Sequence, residues 1–240
     1  MVDGRRNANE FENSGKLQPL FPTVLASVPL GLAEAEQNKI SQYIEQNKDQ
    51  FKKRGRDKVI FEQSPINLHH MAVMEPMFRG IANAVHGALE GMGFDPSRLN
   101  MHITRSWANY NTENMITGSH VHVNSHLSIV YYPDDSCSQA QINFMNVASK
   151  ADWIPALNDP AYSELGAWDR TNYFSTDSVS YTPKPDLCLM FPSNVPHSVS
   201  PNKSKRPRIS IAMDTLFTLK EYVLDEPLLP PPSDWKEYEL

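Results

Sequence analysis

The chain has 240 residues, of which 40% are hydrophobic and 21% charged, with a formal net charge of −6 at pH 7. That length and apolar content suffice for one domain with a real core, and the acidic balance weighs against a general nucleic-acid binder, because phosphate contact rewards a basic surface. Two cysteines, Cys137 and Cys188, lack C-x-x-C spacing and make no disulfide framework in so long a chain, so a reducing, cytoplasmic setting is expected.

The opening "MVDGRRNANEFENSGK" is polar throughout, without the apolar core of a secretory signal, and the longest apolar runs are strand-sized, so no membrane span is expected. In 29–53, Leu32, Ile40, Tyr43, Ile44 and Phe51 fall mostly on one face at helical spacing. The spacing predicts a second helix over 75–94, with Phe78, Ile81, Ala82, Val85 and Leu89 as its stripe and Gly91, Gly93 and Pro96 as its stop. His86 on that helix, and His69 and His70 before it, read as surface or core filler.

From about residue 100 the pattern changes to short segments rich in β-branched and aromatic residues: 101–111, 126–134, 141–147, 178–183, 186–193 and 208–217. Regularly spaced short strands behind two helices predict a mainly β fold, an antiparallel sandwich or barrel with a helical buttress. The whole chain, 1–240, reads as one domain: a helical part over 29–95, a β core over about 101–217, and a tail over 218–240. An insert over about 148–177, with Trp153, Tyr162, Trp168 and Tyr173, interrupts the core and could lid its mouth. The tail, proline-stiffened and acidic, is expected to pack along the outside.

The stretch "GSHVHVNSHLSIVYY" carries His120, His122 and His126, three of the eight histidines of the chain. On a strand, alternate side chains share a face, so His120 and His122 would offer two imidazoles to one ion. Taken alone, an H-x-H pair is as often a pair of polar residues on a solvated face. His126 lies roughly 13 Å further along an extended strand, which suits a neighbour on the substrate side rather than a ligand. A third ligand is available in His197, on a turn between two strands, and Arg208 follows with Ser210 two residues on. An arginine forks bidentately onto a carboxylate and a hydroxyl on the same face can add a bond to the same group, although an arginine can also merely cap a sheet edge. Together these residues describe a metal beside a dicarboxylate pocket.

At this point the chain resembles the Fe(II)/2-oxoglutarate-dependent oxygenases, and within them a prolyl-hydroxylase-like group of bacteria and phages. The residues that carry the likeness are "HVHVNSHLSIVYY", "FPSNVPHSVSPN", "RISI" and the upstream "SWANYN". The resemblance spans roughly 101–217 and implies a double-stranded β-helix, the jelly roll also seen in cupins, with a metal at its open end. It implies His120, His122 and His197 as iron ligands, and Arg208 with Ser210 on the far carboxylate of 2-oxoglutarate. Tyr132 falls where related hydroxylases reach the same carboxylate. Asn109 reads as lining the co-substrate side, and Trp107 as core or as part of the substrate side.

The chain departs from the superfamily at His122, where the second ligand is usually a carboxylate. Val123 and Ile129 replace a proline and a glycine of the narrower pattern. The implied activity is a dioxygenase that uses Fe(II), 2-oxoglutarate and O2, a hydroxylase of a peptide side chain such as proline or of a small metabolite. Two rivals remain open: a three-histidine cupin-type enzyme that needs no 2-oxoglutarate, and a catalytically silent jelly roll that acts as a binding module. Neither the substrate nor the oligomeric state is legible.

Overall fold

A computed structural model describes residues 23–56, 59–64, 67–146, 178–224 and 227–238. In chain order its strands and α-helices are β1 (Ala26–Pro29), α1 (Glu34–Gln46), β2 (Lys52–Arg56), β3 (Val59–Gln63), α2 (Glu75–Gly91), β4 (Leu99–Asn111), β5 (Thr117–His120), β6 (Leu127–Tyr132), β7 (Ile142–Met145), β8 (Ser178–Tyr181), β9 (Leu187–Pro192), β10 (His197–Val199) and β11 (Arg208–Leu219). They form two antiparallel sheets, one ordered β1-β9-β6-β11-β4-β3-β2 and the other β5-β10-β7-β8. This is the two-sheet architecture expected from the sequence, and the long strands β4 and β11 form its spine through a twelve-residue register.

Side-chain alternation explains how the larger sheet is buried on both faces. On β11, Ile209, Ile211 and Met213 point to the helices, where they join Ile40 and Ile44 of α1 and Met77, Phe78, Ile81 and Val85 of α2. Ala108 and Tyr110 of β4 and Ile129 and Tyr131 of β6 share that layer. The residues between them face the second sheet. Trp107, Val130, Tyr132 and Ala212 pack there with Leu189, Phe191, Ile142 and Phe144. Because both faces are covered, β9 and the Ile129–Tyr132 part of β6 read in the sequence as apolar runs. The consequence for function is that β4, β6 and β11 deliver their even or odd partners into the space between the sheets.

Three features differ from the sequence reading. The first helix stops at Gln46 rather than running to residue 53, because Asn47 turns back on it: its amide Nδ2 donates to the Tyr43 carbonyl at 2.8 Å. Phe51 therefore lies beyond the helix, edge-on to the Tyr110 ring. Next, the region expected to be helical contains the β2–β3 hairpin, which joins the sheet edge through Glu62↔Tyr110 and Gln63↔Asn109. The β2 segment "KKRGR" has no apolar alternation, so no pattern announces it. Finally, the strand expected to hold both His120 and His122 ends at His120. The insert 148–177 lies outside the described residues. The tail returns to the end of β11, where Leu219 N–H donates to the Leu229 carbonyl at 2.9 Å.

Ile81 of α2 has no solvent exposure and sits between the helices and the sheet. Ile81→Ala is expected to cost about 2–5 kcal/mol through lost burial and the cavity left behind. A urea titration followed by circular dichroism should show a lower midpoint with an unchanged slope.

Candidate metal centre

His120 and His197 face each other as register partners across β5 and β10, so antiparallel pairing alone brings together two residues 77 positions apart. Their ring centroids are 4.3 Å apart. His122 sits in the loop after β5, whose path is fixed by the bond from His122 N–H to the Ser193 carbonyl at 3.0 Å. Its ring lies 5.2 Å from that of His120 and 5.1 Å from that of His197. One ligand atom from each of the three histidines lies within 4.8 Å of the others, which is close enough for a single ion.

Hydrogen bonding fixes which nitrogen each ring offers. His120 Nδ1 lies 2.8 Å from the Gly118 carbonyl, and His197 Nδ1 lies 3.0 Å from the Val195 carbonyl. A carbonyl only accepts, so Nδ1 carries the proton in both rings and Nε2 keeps its lone pair. His122 Nδ1 bonds instead to Asp214 Oδ1. All three rings are thus oriented by an acceptor behind them, the arrangement that prepares a histidine for metal binding. Burial lowers the His197 pKa to about 4, helped by the neighbouring imidazoles and opposed by the Val195 carbonyl. Burial also lowers that of His120, against the pull of the Gly118 carbonyl. Neutral rings at pH 7 are the form a metal requires.

The trio opens on a cavity of about 790 Å³ that is also lined by Trp107, Asn109, Tyr132, Arg208 and Ser210. Arg208 is only 2% exposed. Among the described residues it makes no ion pair, and its Nε is one of three buried polar side-chain atoms without a hydrogen-bond partner, alongside Tyr132 Oη and Asn111 Oδ1. Burying an unmatched guanidinium is costly. Tyr132 lies under that charge, with the guanidinium carbon 5.5 Å from its ring centre. Burial pushes its phenol up to about 12 while Arg208 pulls the other way, so the hydroxyl stays protonated and can donate to a carboxylate. Asn109 Nδ2 approaches Ser210 Oγ at 3.4 Å across β4 and β11.

Of the nine residues singled out in the sequence, eight line this cavity. Trp107 does so while its ring also packs 5.6 Å from that of His122. His126 does not line it: its Nδ1 accepts from Phe217 N–H at 3.1 Å and its ring stacks on Phe217, which makes it a structural residue at the far end of β11. Sequence reasoning missed Asp214 and Arg105. Asp214 has no solvent exposure and binds His122 through Oδ1 and Arg105 through Oδ2, with Arg105 Nε at 2.8 Å. The signal was present, because residues 208, 210, 212 and 214 share one face of β11 and a carboxylate on an otherwise buried strand needs a partner.

Comparisons with known proteins give two findings, one on the fold and one on the family. Among solved structures, the chain resembles the epimerase SnoN in complex with Fe3+, alpha ketoglutarate and nogalamycin RO, at TM-score 0.57 and 12% identity over 88% of this chain and 92% of that one. It also resembles a prolyl-4-hydroxylase of Pseudomonas putida (TM-score 0.53, 11% identity, 80% and 92% covered) and a prolyl hydroxylase of Trichoplax adhaerens in complex with a peptide fragment (0.52, 11%, 80% and 82%). At such identities the likeness establishes the fold, a double-stranded β-helix. The family described as "Putative 2OG-Fe(II) oxygenase" matches residues 105–214, the segment that holds every residue of the site. Over that segment the chain is similar to a family of 2-oxoglutarate–Fe(II) oxygenases, which are non-haem iron enzymes. No curated protein matches it by sequence. No helix among the described residues is long and apolar enough to cross a membrane.

The depressed pKa of His197 gives a signed prediction for the metal-free protein. The unfolded chain protonates this histidine near its ordinary value of 6.5 and the folded one only near 4. Between those values the unfolded state binds the extra proton, so stability falls as pH drops through that window. Denaturant midpoints measured from pH 7 to pH 4 should show this slope, and His197→Gln should flatten it.

Proposed function

We propose that the protein is an Fe(II)- and 2-oxoglutarate-dependent dioxygenase that hydroxylates a C–H bond of a small molecule or a peptide side chain entering through the cavity mouth. The observation that carries this reading is the buried Arg208, unpaired among the described residues, in the same cavity as three histidines with matched Nε2 lone pairs. His120, His122 and His197 would hold the metal. Arg208 would grip the distal carboxylate of 2-oxoglutarate, Tyr132 would donate its hydroxyl to the same group, and Ser210 with Asn109 would complete the polar wall. When bound, the iron and its co-substrate supply the oxidising chemistry: O2 and 2-oxoglutarate are consumed, succinate and CO2 leave, and one oxygen atom becomes the hydroxyl of the product.

The task of the chain is positioning and exclusion. Arg208 cannot lose its charge, so it orients a dicarboxylate at any working pH. Trp107, Val130 and Ala212 present apolar surface beside the polar cradle, which keeps water from competing for the guanidinium. A cavity of about 790 Å³ is far larger than a five-carbon diacid needs and leaves room for a second molecule. That shape suits a reaction in which co-substrate and substrate are held at once. The solved relatives named above act on, or are bound to, molecules as different as nogalamycin RO and a peptide fragment, in keeping with a substrate class set by the mouth rather than by the fold.

A second reading, a three-histidine metalloenzyme that uses no 2-oxoglutarate, draws on the absence of a carboxylate among the three rings. It leaves Arg208 without an anion. Anaerobic titration of the Fe(II)-loaded protein with 2-oxoglutarate separates the two: a weak visible charge-transfer band that saturates supports the oxygenase, and its absence supports the rival. Arg208→Ala is expected to weaken 2-oxoglutarate binding by about 1.5–3 kcal/mol, roughly 10–150-fold, with iron binding intact. Release of succinate without any added substrate distinguishes the oxygenase from a silent binding module.

A further inference from the structure

The usual facial triad gives its iron two neutral imidazoles and one carboxylate, so one unit of the metal charge is neutralised by a ligand. Three imidazoles neutralise none of it. Directly behind one of them, Asp214 is fully buried and bonded to His122 Nδ1. We propose that Asp214 serves the metal centre as its anionic partner, delivering through His122 the negative charge that a carboxylate ligand would otherwise bring. The proposal rests on the reading of the three histidines as metal ligands.

The geometry divides the carboxylate between two duties. Oδ2 takes both the Nε and the Nη2 of Arg105, whereas Oδ1 is left to His122 alone. Register explains the first duty, since Asp214 stands opposite Arg105 across β11 and β4. It does not explain the second. His122 lies in a loop, and the bond from its backbone N–H to the Ser193 carbonyl would hold that loop without Asp214. A carboxylate accepting the Nδ1–H makes the imidazole more basic and its Nε2 a stronger donor. His120 and His197 have only neutral carbonyls in the equivalent place, so the asymmetry among the three rings is confined to His122, the position at which the superfamily usually has its acid. Position 214 is thus an anionic positioning residue one imidazole removed from the ion, with Arg105, 47% exposed in its side chain, as its counterweight at the cavity mouth.

The test is a double-mutant cycle read by metal affinity rather than by turnover. Fe(II) and Co(II) affinities are measured by anaerobic competition titration for the native chain, Asp214→Asn, His122→Asp and the double variant. In the native background, Asp214→Asn is expected to weaken binding about 10–100-fold, and the visible ligand-field bands of the Co(II) form should shift as His122 becomes a poorer donor. In the His122→Asp background the new side chain brings its own charge and stands against Asp214, so the same Asp214→Asn change should cost nothing or tighten binding. An equal loss in both backgrounds, or no loss in the native one, overturns the proposal. Arg105→Gln guards against a variant that does not fold: removing the competing cation should leave metal affinity equal or higher, and a drop would mean that Asp214 only braces two strands. A native chain that takes up neither metal would sink the reading of the histidines themselves, a different result from all of these.

Discussion

A guanidinium and a carboxylate, both without access to water, sit on the same face of β11. Neither can remain there unless it is matched, because an unpaired buried charge costs more than a fold of this size can spare. Asp214 is matched from within, by His122 and Arg105. Arg208 has no such match among the described residues, and that asymmetry polarises the cavity. One end is closed by the chain itself and points its imidazoles inward; the other end holds the guanidinium of Arg208. The intervening Ser210 and Ala212 are small, and Ala212 lies opposite Trp107 in the register.

The fold was legible wherever a single periodicity ruled. Six of the strands fall close to the segments chosen by alternation and β-propensity, and α2 ends within a few residues of its glycine stop. Legibility failed where polar backbone geometry, rather than burial, sets the structure. The β2–β3 hairpin is an edge element with charged residues, and the end of α1 depends on one asparagine amide. Short β10 also escaped notice as a strand, though its histidine did not. In each case the stabilising interaction is a hydrogen bond to the main chain, which leaves no mark on hydrophobic spacing.

The site was read more fully than the fold, for a chemical reason. Ligand and charge-pairing residues are chosen for what they can bond, so their types survive as a signal even when their distances are unknown. The rule that adjacent even positions share a strand face gave His120 and His122 a common ion for a reason that does not hold, since the strand ends between them. The rings meet all the same, because the loop is pinned to β9 by the His122–Ser193 bond. His126 shows the converse. Its parity matched that of the other two, but the chain turns after Asn124, a residue with φ of 58°, and the side chain is carried away to Phe217. Asp214 went unseen because a lone acid in an apolar strand has no motif; only its face relation to Arg208 betrays it.

The pairing of His120 with His197 has a mechanical side. The smaller sheet has four short strands, and β10 at three residues is joined to β5 through an irregular register. Few backbone bonds hold that seam, and it is the seam the two rings bridge. An ion seated between them would rivet the thin wall of the barrel at its weakest joint, with His122 tying the same rivet to the thick wall through Asp214. Loading a metal and tightening that wall would then be one event, and the metal-free protein would breathe most at the seam between β5 and β10.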